Sequence, residues 1–262
     1  MSSSGADRPQ SARVALGLRS LAKSVVDIAL ILLAVTIGKS ALAEPYYVPS
    51  GSMEPTLKIG DELLATKYDY GYSSASLPLF MHVPARGRFF GALPHRGDVV
   101  VFRAPADDSQ IWVKRVIGLP GDRIAVREGR LWINGAAVAL KPEGLGRDEI
   151  ENGTRRLVPQ FLETLPGGRA HRIFQETTDG PLDNMPTVTV PRGHLFVMGD
   201  NRDNSEDSRV PTSVGGVGLL PVGNLVGRVD MVLGSWDLAV ARRPLWDWPS
   251  GLRLSRFFIA LR

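Results

Sequence analysis

The sequence predicts a mainly β protein built around an antiparallel sheet. Its short runs of β-branched and aromatic residues are separated by Gly, Pro, Asn and Asp, which is the pattern of strands joined by turns. Hydrophobic residues make up 44% of the 262 residues, enough for a real core in one large domain or two small ones. We expect strands over residues 98–102, 111–117, 123–126, 131–134 and 194–198.

A hairpin at Asn134-Gly135 is the clearest local signal among these runs. Leu131-Trp132-Ile133 precedes the dipeptide, and residues 136–140 follow it. Asn-Gly suits the two positive-φ positions of a type I′ turn, whose twist matches that of antiparallel strands. We therefore predict two adjacent strands joined at this turn.

The chain between Leu140 and Pro191 differs in character from its flanks. It is polar and rich in Gly and Pro, and its strand patterns are weaker. We predict a smaller β-rich lobe over 141–190, inserted into a β domain formed by 44–140 and 191–240. Any chemistry is expected outside this lobe.

The N-terminus has the features of a membrane anchor. Residues 1–23 are basic and 25–37 are apolar apart from Asp27, so the positive-inside rule keeps the N-terminus in the cytoplasm. Extended to 24–43, the apolar run has about 20 residues, enough to span a bilayer. Lys39 within it would snorkel, with its ammonium at the membrane surface. Ala41-Leu42-Ala43 also resembles the cleavage site of a removable signal peptide. On these residues alone, one transmembrane helix and a cleaved leader both stay open.

The C-terminal segment, residues 241–262, is basic and aromatic. Apolar side chains recur there at i, i+3, i+4 and i+7, the spacing of one helical face: Leu254, Phe257, Phe258 and Leu261. This spacing predicts an amphipathic helix. Its apolar stripe would lie either on anionic lipid or against the β core.

Composition excludes several classes of function. The net charge of +4 is spread along the chain without interleaved basic and aromatic residues, so nucleic acid is not an expected partner. The absence of cysteine excludes disulfides, thiol catalysis and thiolate metal sites. The histidines, which show no pair at metal-ligand spacing, are His82, His95, His171 and His194. We therefore expect neither a metal nor another cofactor.

Ser50-Gly51-Ser52, just beyond the apolar segment, is the most informative tripeptide in the chain. Gly51 permits a sharp turn and close approach to a ligand, while Pro49 and Pro55 stiffen the flanks. A serine on such a turn exposes its hydroxyl, which suggests a nucleophile at a membrane surface. The tripeptide alone is more typical of a solvated loop, so a nucleophile is indicated only if residues further along the chain support it.

Lys114 is a candidate base for such a nucleophile. The two-residue period of a strand puts it on the same face as Trp112 and Val116. Burial among apolar side chains penalises the ammonium and lowers a lysine pKa by up to about 3–5 units, which suits a general base near neutral pH. An isolated strand lysine would instead snorkel to the surface. Because no histidine or cysteine is suitably placed, a Ser/Lys pair is the available activated nucleophile.

A dense polar loop, Gly199 to Arg209, follows the strand expected at 194–198. Its alternating Asp and Asn residues suggest calcium at first. However, Arg202 and Arg209 add positive charge, and the glycine and glutamate of an EF-hand loop are misplaced. We expect a network of internal hydrogen bonds and ion pairs instead.

Together these segments resemble the type I signal peptidase (leader peptidase) family of membrane-bound Ser/Lys proteases. Several co-linear motifs agree in order and approximate spacing: 49–57, 60–61, 96–102, 114–122, 199–209 and 224–228. They cover most of the chain except 141–190 and the two ends. Residues 210–219 form a longer linker than is usual in the family, and only one N-terminal span is evident.

The resemblance implies a catalytic role for four residues. Ser52 would be the nucleophile and Lys114 the base that takes its proton. Ser50 would supply an oxyanion-hole hydroxyl beside the Ser52 backbone N–H. Ser205 would hydrogen-bond and orient the lysine.

The resemblance also implies supporting and substrate-binding residues. Asp207 and Arg209 would form an ion pair that supports the site. Shallow pockets for small side chains would be lined by Tyr46, Val48, Met53, Leu57, Trp112 and Val113.

The implied function is that of an anchored serine endopeptidase, which removes signal peptides from exported preproteins after small residues. It would act on the outer, periplasmic face of the bacterial cytoplasmic membrane. Its partners would be the signal peptides of secreted preproteins, membrane lipid including anionic lipid, and the export machinery. An uncleaved, single-pass anchor is favoured, because cleavage after Ala43 would release the domain from the surface that holds its substrates.

Two alternatives share parts of this pattern. A peptidase dedicated to one pilin or conjugation substrate would have the same dyad and differ only in its pockets. A membrane-tethered β module that binds exported chains without cutting them would have no use for Ser52, Lys114 and Ser205 together.

Overall fold

The computed structural model describes residues 23–31, 42–76, 91–150, 154–242 and 244–261. The chain divides into two compact units, Met1–Ala41 and Leu42–Arg262. In the first unit, residues 23–31 are helical, while most of the predicted basic N-terminus and residues 32–41 of the predicted anchor lie outside the described residues. Within the described ranges, no helix has the length and apolar character that crossing a bilayer requires.

The second unit is mainly β, as predicted. Its strands, in chain order, are β1 Ala43–Tyr47, β2 Asp61–Thr66, β3 Val99–Arg103, β4 Ile111–Gly118, β5 Arg123–Arg127, β6 Arg130–Ile133, β7 Ala136–Ala137, β8 Ala139–Glu149, β9 Arg155–Thr164, β10 Ala170–Phe174, β11 Met185–Thr189, β12 His194–Met198, β13 Leu220–Pro221, β14 Leu225–Ser235 and β15 Ile259–Ala260.

These strands form three antiparallel sheets. The central sheet has the order β1-β2-β14-β3-β4-β12-β13, with β15 added alongside β14. A second sheet has the order β10-β9-β8, and a third has the order β11-β5-β6-β7. Strand β4, which carries Lys114, therefore lies inside the central sheet, whereas β1 lies at its edge.

Strand β3 of the central sheet is buried on both of its faces. All five of its residues are buried, and its side chains alternate between two core clusters. Val99 and Val101 belong to one cluster, whereas Val100 and Phe102 belong to the other. A strand covered on both faces is a continuous hydrophobic run, which is the sequence pattern that predicted it.

The predicted hairpin is confirmed. Asn134 and Gly135 have φ values of 55° and 86°, and Ile133 pairs with Ala136 across the turn. Both turn residues therefore adopt the left-handed backbone that Asn and Gly tolerate best.

The segment 141–190 contains longer strands than its sequence pattern suggests. Strand β8 has 11 residues and β9 has 10, and they pair along their whole length. Most β8 side chains are exposed, so backbone hydrogen bonds hold the strand without an alternating apolar pattern. Strand β11, in the same segment, pairs with β5. The boundaries of an inserted lobe at 141 and 190 remain a prediction.

The prediction of a C-terminal amphipathic helix is wrong for residues 244–261. This segment forms short 3-10 turns over Leu245–Gly251 and Leu254–Arg256 and then strand β15. Leu261 packs on the core and the Phe257 ring lies over Gly234, whereas Leu254 and Phe258 are more than 70% exposed. Pairing with β14 alternates the side chains and so divides the predicted stripe.

Ion pairs fasten the C-terminal segment to the sheet. Arg256 Nε donates to Asp61 Oδ1 at 2.9 Å, and Asp61 is fully buried. Arg253 Nη2 donates to Glu149 Oε2 at 2.7 Å. Because burial makes an unpaired carboxylate expensive, these arginines stabilise the docked segment.

We expect Arg256→Gln to lower the free energy of unfolding by about 2–4 kcal/mol, because it leaves a buried carboxylate without its counter-charge. Urea unfolding of the full chain measures this change. Leu254→Ser is the matched control in the same turn, and its effect should stay within about 0.5 kcal/mol because the side chain is exposed. Equal losses in the two variants would contradict the assignment.

Candidate active site

The candidate nucleophile lies on a short turn after the edge strand. Val48, Pro49 and Ser50 extend from β1, and Gly51–Met53 form one 3-10 turn. A cavity of about 790 Å³ opens beside this turn, between residues of β1 and the first half of β4. Both Ser50 and Ser52 are in its wall.

Lys114 and Ser52 meet in this cavity, although 62 positions separate them in the chain. Lys114 Nζ and Ser52 Oγ are hydrogen-bonded at 2.7 Å. The lysine is 5% exposed, and its Nζ lies 5.6 Å from the centroid of the Trp112 ring. The hydroxyl is therefore within direct proton-transfer distance of the amine.

Burial lowers the pKa of Lys114 from 10.5 to about 8. Asp207, Glu206 and Asp200 act in the opposite direction, and Arg209 adds to the lowering. In the part of the chain that the structure describes, no carboxylate lies within ion-pair distance of Nζ. The neutral amine is accordingly accessible near neutral pH.

Asn201 fixes the backbone of the nucleophile turn, the 3-10 turn Gly51–Met53 that carries the candidate nucleophile Ser52. Its N–H donates to Ser52 O at 3.1 Å, and its Nδ2 donates to Gly51 O at 3.2 Å and to Asp148 Oδ1 at 2.8 Å. Asn201 belongs to the predicted polar loop, and no role was predicted for it. Its short amide marks a backbone-binding residue, but only the fold shows which backbone it binds.

Ser205 lies in the cavity wall and is 5% exposed. Its Oγ makes no hydrogen bond with any described residue, so the bond to Lys114 that the resemblance implied is not formed. Gly199 packs against it so closely that an added Cβ would lie 2.2 Å from Ser205 Oγ and 2.5 Å from Ser52 O. Only glycine fits where the loop approaches the nucleophile turn.

Asp207 and Arg209 form the expected ion pair. Arg209 Nε donates to Asp207 Oδ1 at 2.9 Å and Nη2 donates to Oδ2 at 2.8 Å, with both side chains buried. Burial alone would raise the pKa of the Asp207 carboxyl, but the adjacent guanidinium outweighs it and holds that pKa below its usual range. The carboxylate also accepts the Gly199 N–H at 3.0 Å, which fixes the loop beside Ser205.

Two more buried pairs connect the polar loop to the sheets, as the predicted network requires. Arg115 Nε donates to Asp200 Oδ1 at 2.8 Å. Arg202 binds Glu163 of β9 through two hydrogen bonds, at 3.0 and 2.6 Å. Because Glu163 belongs to the predicted lobe, this lobe supports the site.

The predicted substrate-binding residues are only partly brought together. The cavity wall contains Tyr46, Val48, Met53, Trp112 and Val113. Leu57 is fully buried in the core cluster that also includes Val48 and Met53, so it does not line the cavity. Leu57 instead packs in the core with these two wall residues.

Glu54 is a buried carboxyl for which no role was predicted from the sequence. It lies two residues after Ser52, and its Oε2 accepts the Glu149 N–H at 2.9 Å. Burial raises the pKa of Glu54 to about 7, and the charges of Asp148 and Glu149 add to this effect. Glu54 is therefore largely protonated in mildly acidic solution.

Comparison with known proteins agrees with this geometry. The profile of the family described as signal peptidase, peptidase S26, matches residues 21–236. The chain belongs to this family. Signal peptidase I of Rickettsia typhi is 37% identical over 238 residues, which cover 83% of this chain and 85% of the relative. The enzyme of Rickettsia canadensis is 37% identical over 236 residues, which cover 83% and 84%.

A solved signal peptidase I from Enterococcus faecalis is 26% identical, covers 53% of this chain and 97% of that chain, and superposes with a TM-score of 0.31. As a member of the signal peptidase family, the chain is a serine endopeptidase of the signal peptidase I type, which removes signal peptides.

We expect Gly199→Ala to reduce kcat by about 100-fold, because the added Cβ displaces Ser52 O and Ser205 and so misplaces the reacting hydroxyl. Cleavage of a model preprotein by the purified variant measures the change. Gly234→Ala is the control, since its Cβ would make an ordinary 3.4 Å contact with Phe257. Wild-type kcat in Gly199→Ala would show that this close packing is irrelevant to catalysis.

Proposed function

We propose that Ser52 is the nucleophile and Lys114 the general base of a signal peptidase that cleaves exported preproteins after small residues. The observation that carries this proposal is the 2.7 Å contact between Ser52 Oγ and a buried amine. A hydroxyl needs an adjacent base to attack an amide, and within the described chain Lys114 is the base in contact with it.

The reaction begins when neutral Lys114 Nζ accepts the Ser52 proton as Oγ attacks the scissile carbonyl carbon. The carbonyl oxygen becomes an oxyanion, which the Ser52 N–H and the Ser50 hydroxyl would stabilise by donating hydrogen bonds. The Lys114 ammonium then protonates the leaving amine as the C–N bond breaks. Water, activated by the regenerated neutral amine, hydrolyses the acyl-enzyme and restores Ser52.

Ser205, Asp207 and Arg209 would position the base. The Ser205 hydroxyl is buried in the same wall without another partner among the described residues, which supports a role in orienting Lys114 when substrate fills the cavity. The Asp207 and Arg209 charges neutralise each other, so they hold the loop without fixing the lysine in its charged form.

The substrate peptide would bind in an extended conformation. Among the described strands, β1 pairs only with β2, and the first half of β4 pairs only with β3. Both line the cavity and offer unpaired backbone groups to a peptide added as a strand. Tyr46, Val48 and Met53 would then contact its side chains and favour small ones.

The enzyme would act at the outer face of the bacterial cytoplasmic membrane, held by an uncleaved single span over residues 24–43. The basic N-terminus and the apolar run that follows it support this topology. Four C-terminal side chains are exposed enough to contact lipid, including anionic lipid: Leu245, Trp246, Leu254 and Phe258. Signal peptides and the export machinery would be its partners there.

We expect Ser52→Ala and Lys114→Ala each to abolish cleavage while the protein stays folded. The double variant should be no worse than either single one, because nucleophile and base act as a unit. Mass spectrometry of the products from a model preprotein, in detergent, identifies the cut bond. Turnover in either folded single variant would contradict the dyad.

Ser50→Ala should lower kcat by about 10²–10³ with KM nearly unchanged, as expected for a donor used mainly in the transition state. Steady-state kinetics of the purified variant, with a model preprotein as substrate, measure both constants. A change confined to KM would mean that Ser50 contacts the substrate instead.

We expect kcat to rise with pH through an apparent pKa of about 8, because Lys114 must lose its proton to act as a base. A lysine in water would give about 10.4. Trp112→Ala, which opens the amine to water, should move the inflection upward. An inflection at the free-lysine value in the unaltered enzyme would show that burial does not tune the base.

A further inference from the structure

A second cavity lies behind the catalytic strand. It has a volume of about 330 Å³, and its wall includes Arg115, whereas Lys114, the preceding residue of β4, faces the first cavity. Its cationic lining consists of Arg115, Arg169, Arg172, Arg228 and Arg256. A single acidic residue, Asp98, lines the cavity with them.

Arg115 holds a fixed position in the wall of this cavity. It is 4% exposed and pairs with Asp200 through two hydrogen bonds, while its Nη1 donates to Gly97 O at 2.8 Å. Its Nη2 also donates to Thr56 Oγ1 at 3.2 Å. The guanidinium therefore cannot move away, and Asp200 balances its charge.

The other four arginines of the cavity each have N–H donors that the described residues do not bind. Each forms an ion pair with a carboxylate: Arg169 with Asp98, Arg172 with Glu143, Arg228 with Asp230, and Arg256 with Asp61. Each uses only part of its guanidinium, so at least one terminal nitrogen of each has no acceptor in the described part of the chain. Guanidinium edges of this kind match the oxygens of a phosphate group.

His171 adds an unused polar group to the same wall. It is 7% exposed, and neither ring nitrogen makes a hydrogen bond with a described residue. Its Nε2 lies 3.4 Å from Glu163 Oε2 and 3.7 Å from Asp200 Oδ1, but both carboxylates are already bound by arginines. A buried imidazole without partners is costly unless something else satisfies it.

We propose that this cavity binds a phosphate-bearing anion, either inorganic phosphate or the phosphate of a lipid headgroup. The free guanidinium edges provide N–H donors, and the buried His171 ring lies in the same wall. An apolar ligand would leave these donors unsatisfied, and a cation would meet donors where it needs acceptors. The volume holds a phosphate with a small substituent but excludes a folded peptide segment.

Thermal unfolding of the full chain in detergent tests this site. We expect the Tm to rise in a saturable way with sodium phosphate, beyond its change in sodium chloride of equal ionic strength, because a ligand of the folded state stabilises it. Arg169→Gln/Arg172→Gln should abolish the difference. Arg192→Gln, an exposed arginine outside the cavity, removes the same type of charge and should keep the difference.

The single variant Arg172→Gln distinguishes a loss of phosphate binding from a loss of folding. Its side chain is 61% exposed and its partner Glu143 is on the surface, so the variant should fold normally. Its phosphate affinity should be about tenfold weaker, which corresponds to one charged hydrogen bond. Equal stabilisation by phosphate and chloride in the wild type, or full phosphate stabilisation in both cavity variants, would overturn the proposal.

His171 supplies an independent signal. Burial and the charge of Arg115 lower its pKa to about 4, and a bound anion should raise it by stabilising the imidazolium. Histidine ring NMR measures this titration, with His171→Gln to assign the resonance and the exposed ring of His95 as the control. An unchanged His171 titration at saturating phosphate would also overturn the proposal.

Phosphate-free micelles and nanodiscs distinguish the two sources of phosphate. In maltoside micelles, which contain no phosphate, the His171 resonance should shift when inorganic phosphate is added, if free phosphate is the ligand. In discs containing phosphatidylglycerol it should be shifted already, if the lipid headgroup occupies the cavity. No shift in micelles or discs, with or without added phosphate, means that no phosphate binds.

Discussion

The burial of the Lys114 ammonium without a carboxylate in contact is the constraint on which the site depends. Within the described structure, Glu206 makes no ion pair with the amine, and the other two acids that act on it are bound by arginines: Asp207 by Arg209 and Asp200 by Arg115. Their charges cancel at short range, so they stabilise the protonated lysine only weakly. Desolvation then dominates and lowers the pKa of the amine, because no carboxylate is in contact with it.

The loop from Gly199 to Arg209 sets the geometry in which that base operates. Its backbone and Asn201 bind the turn that carries Ser52, while Arg202 connects it to Glu163 in β9. The Ser52 turn is therefore held by a loop from a different part of the chain. The segment 141–190 takes part in this support, although the sequence suggested that it lay apart from the chemistry.

Features that depend on local physics could be predicted from the sequence. The Asn134-Gly135 turn and the continuous apolar strand β3 follow from backbone preference and from burial on both faces. A serine and Lys114 could be paired because few other catalytic groups were available, and the family resemblance pointed to Ser52 as that serine. The position of Leu57 and the C-terminal turns could not be predicted, because they depend on which surface the folded sheet offers them.

Glu54 and Lys114 together give the site an unusual response to acidity. The folded-state pKa of Glu54, about 7, lies above its ordinary 4.5, so its contribution to stability is complete below about 4.5 and is lost as pH rises through 7. Lys114 changes in the opposite sense: its folded-state pKa, about 8, lies below 10.5, so stability is regained as pH rises beyond 8. Between about 7 and 8 both buried groups carry charge. The enzyme thus becomes active in the pH range in which these two residues contribute least to the stability of the fold. A substrate that fills the cavity would add the most needed stability in that range.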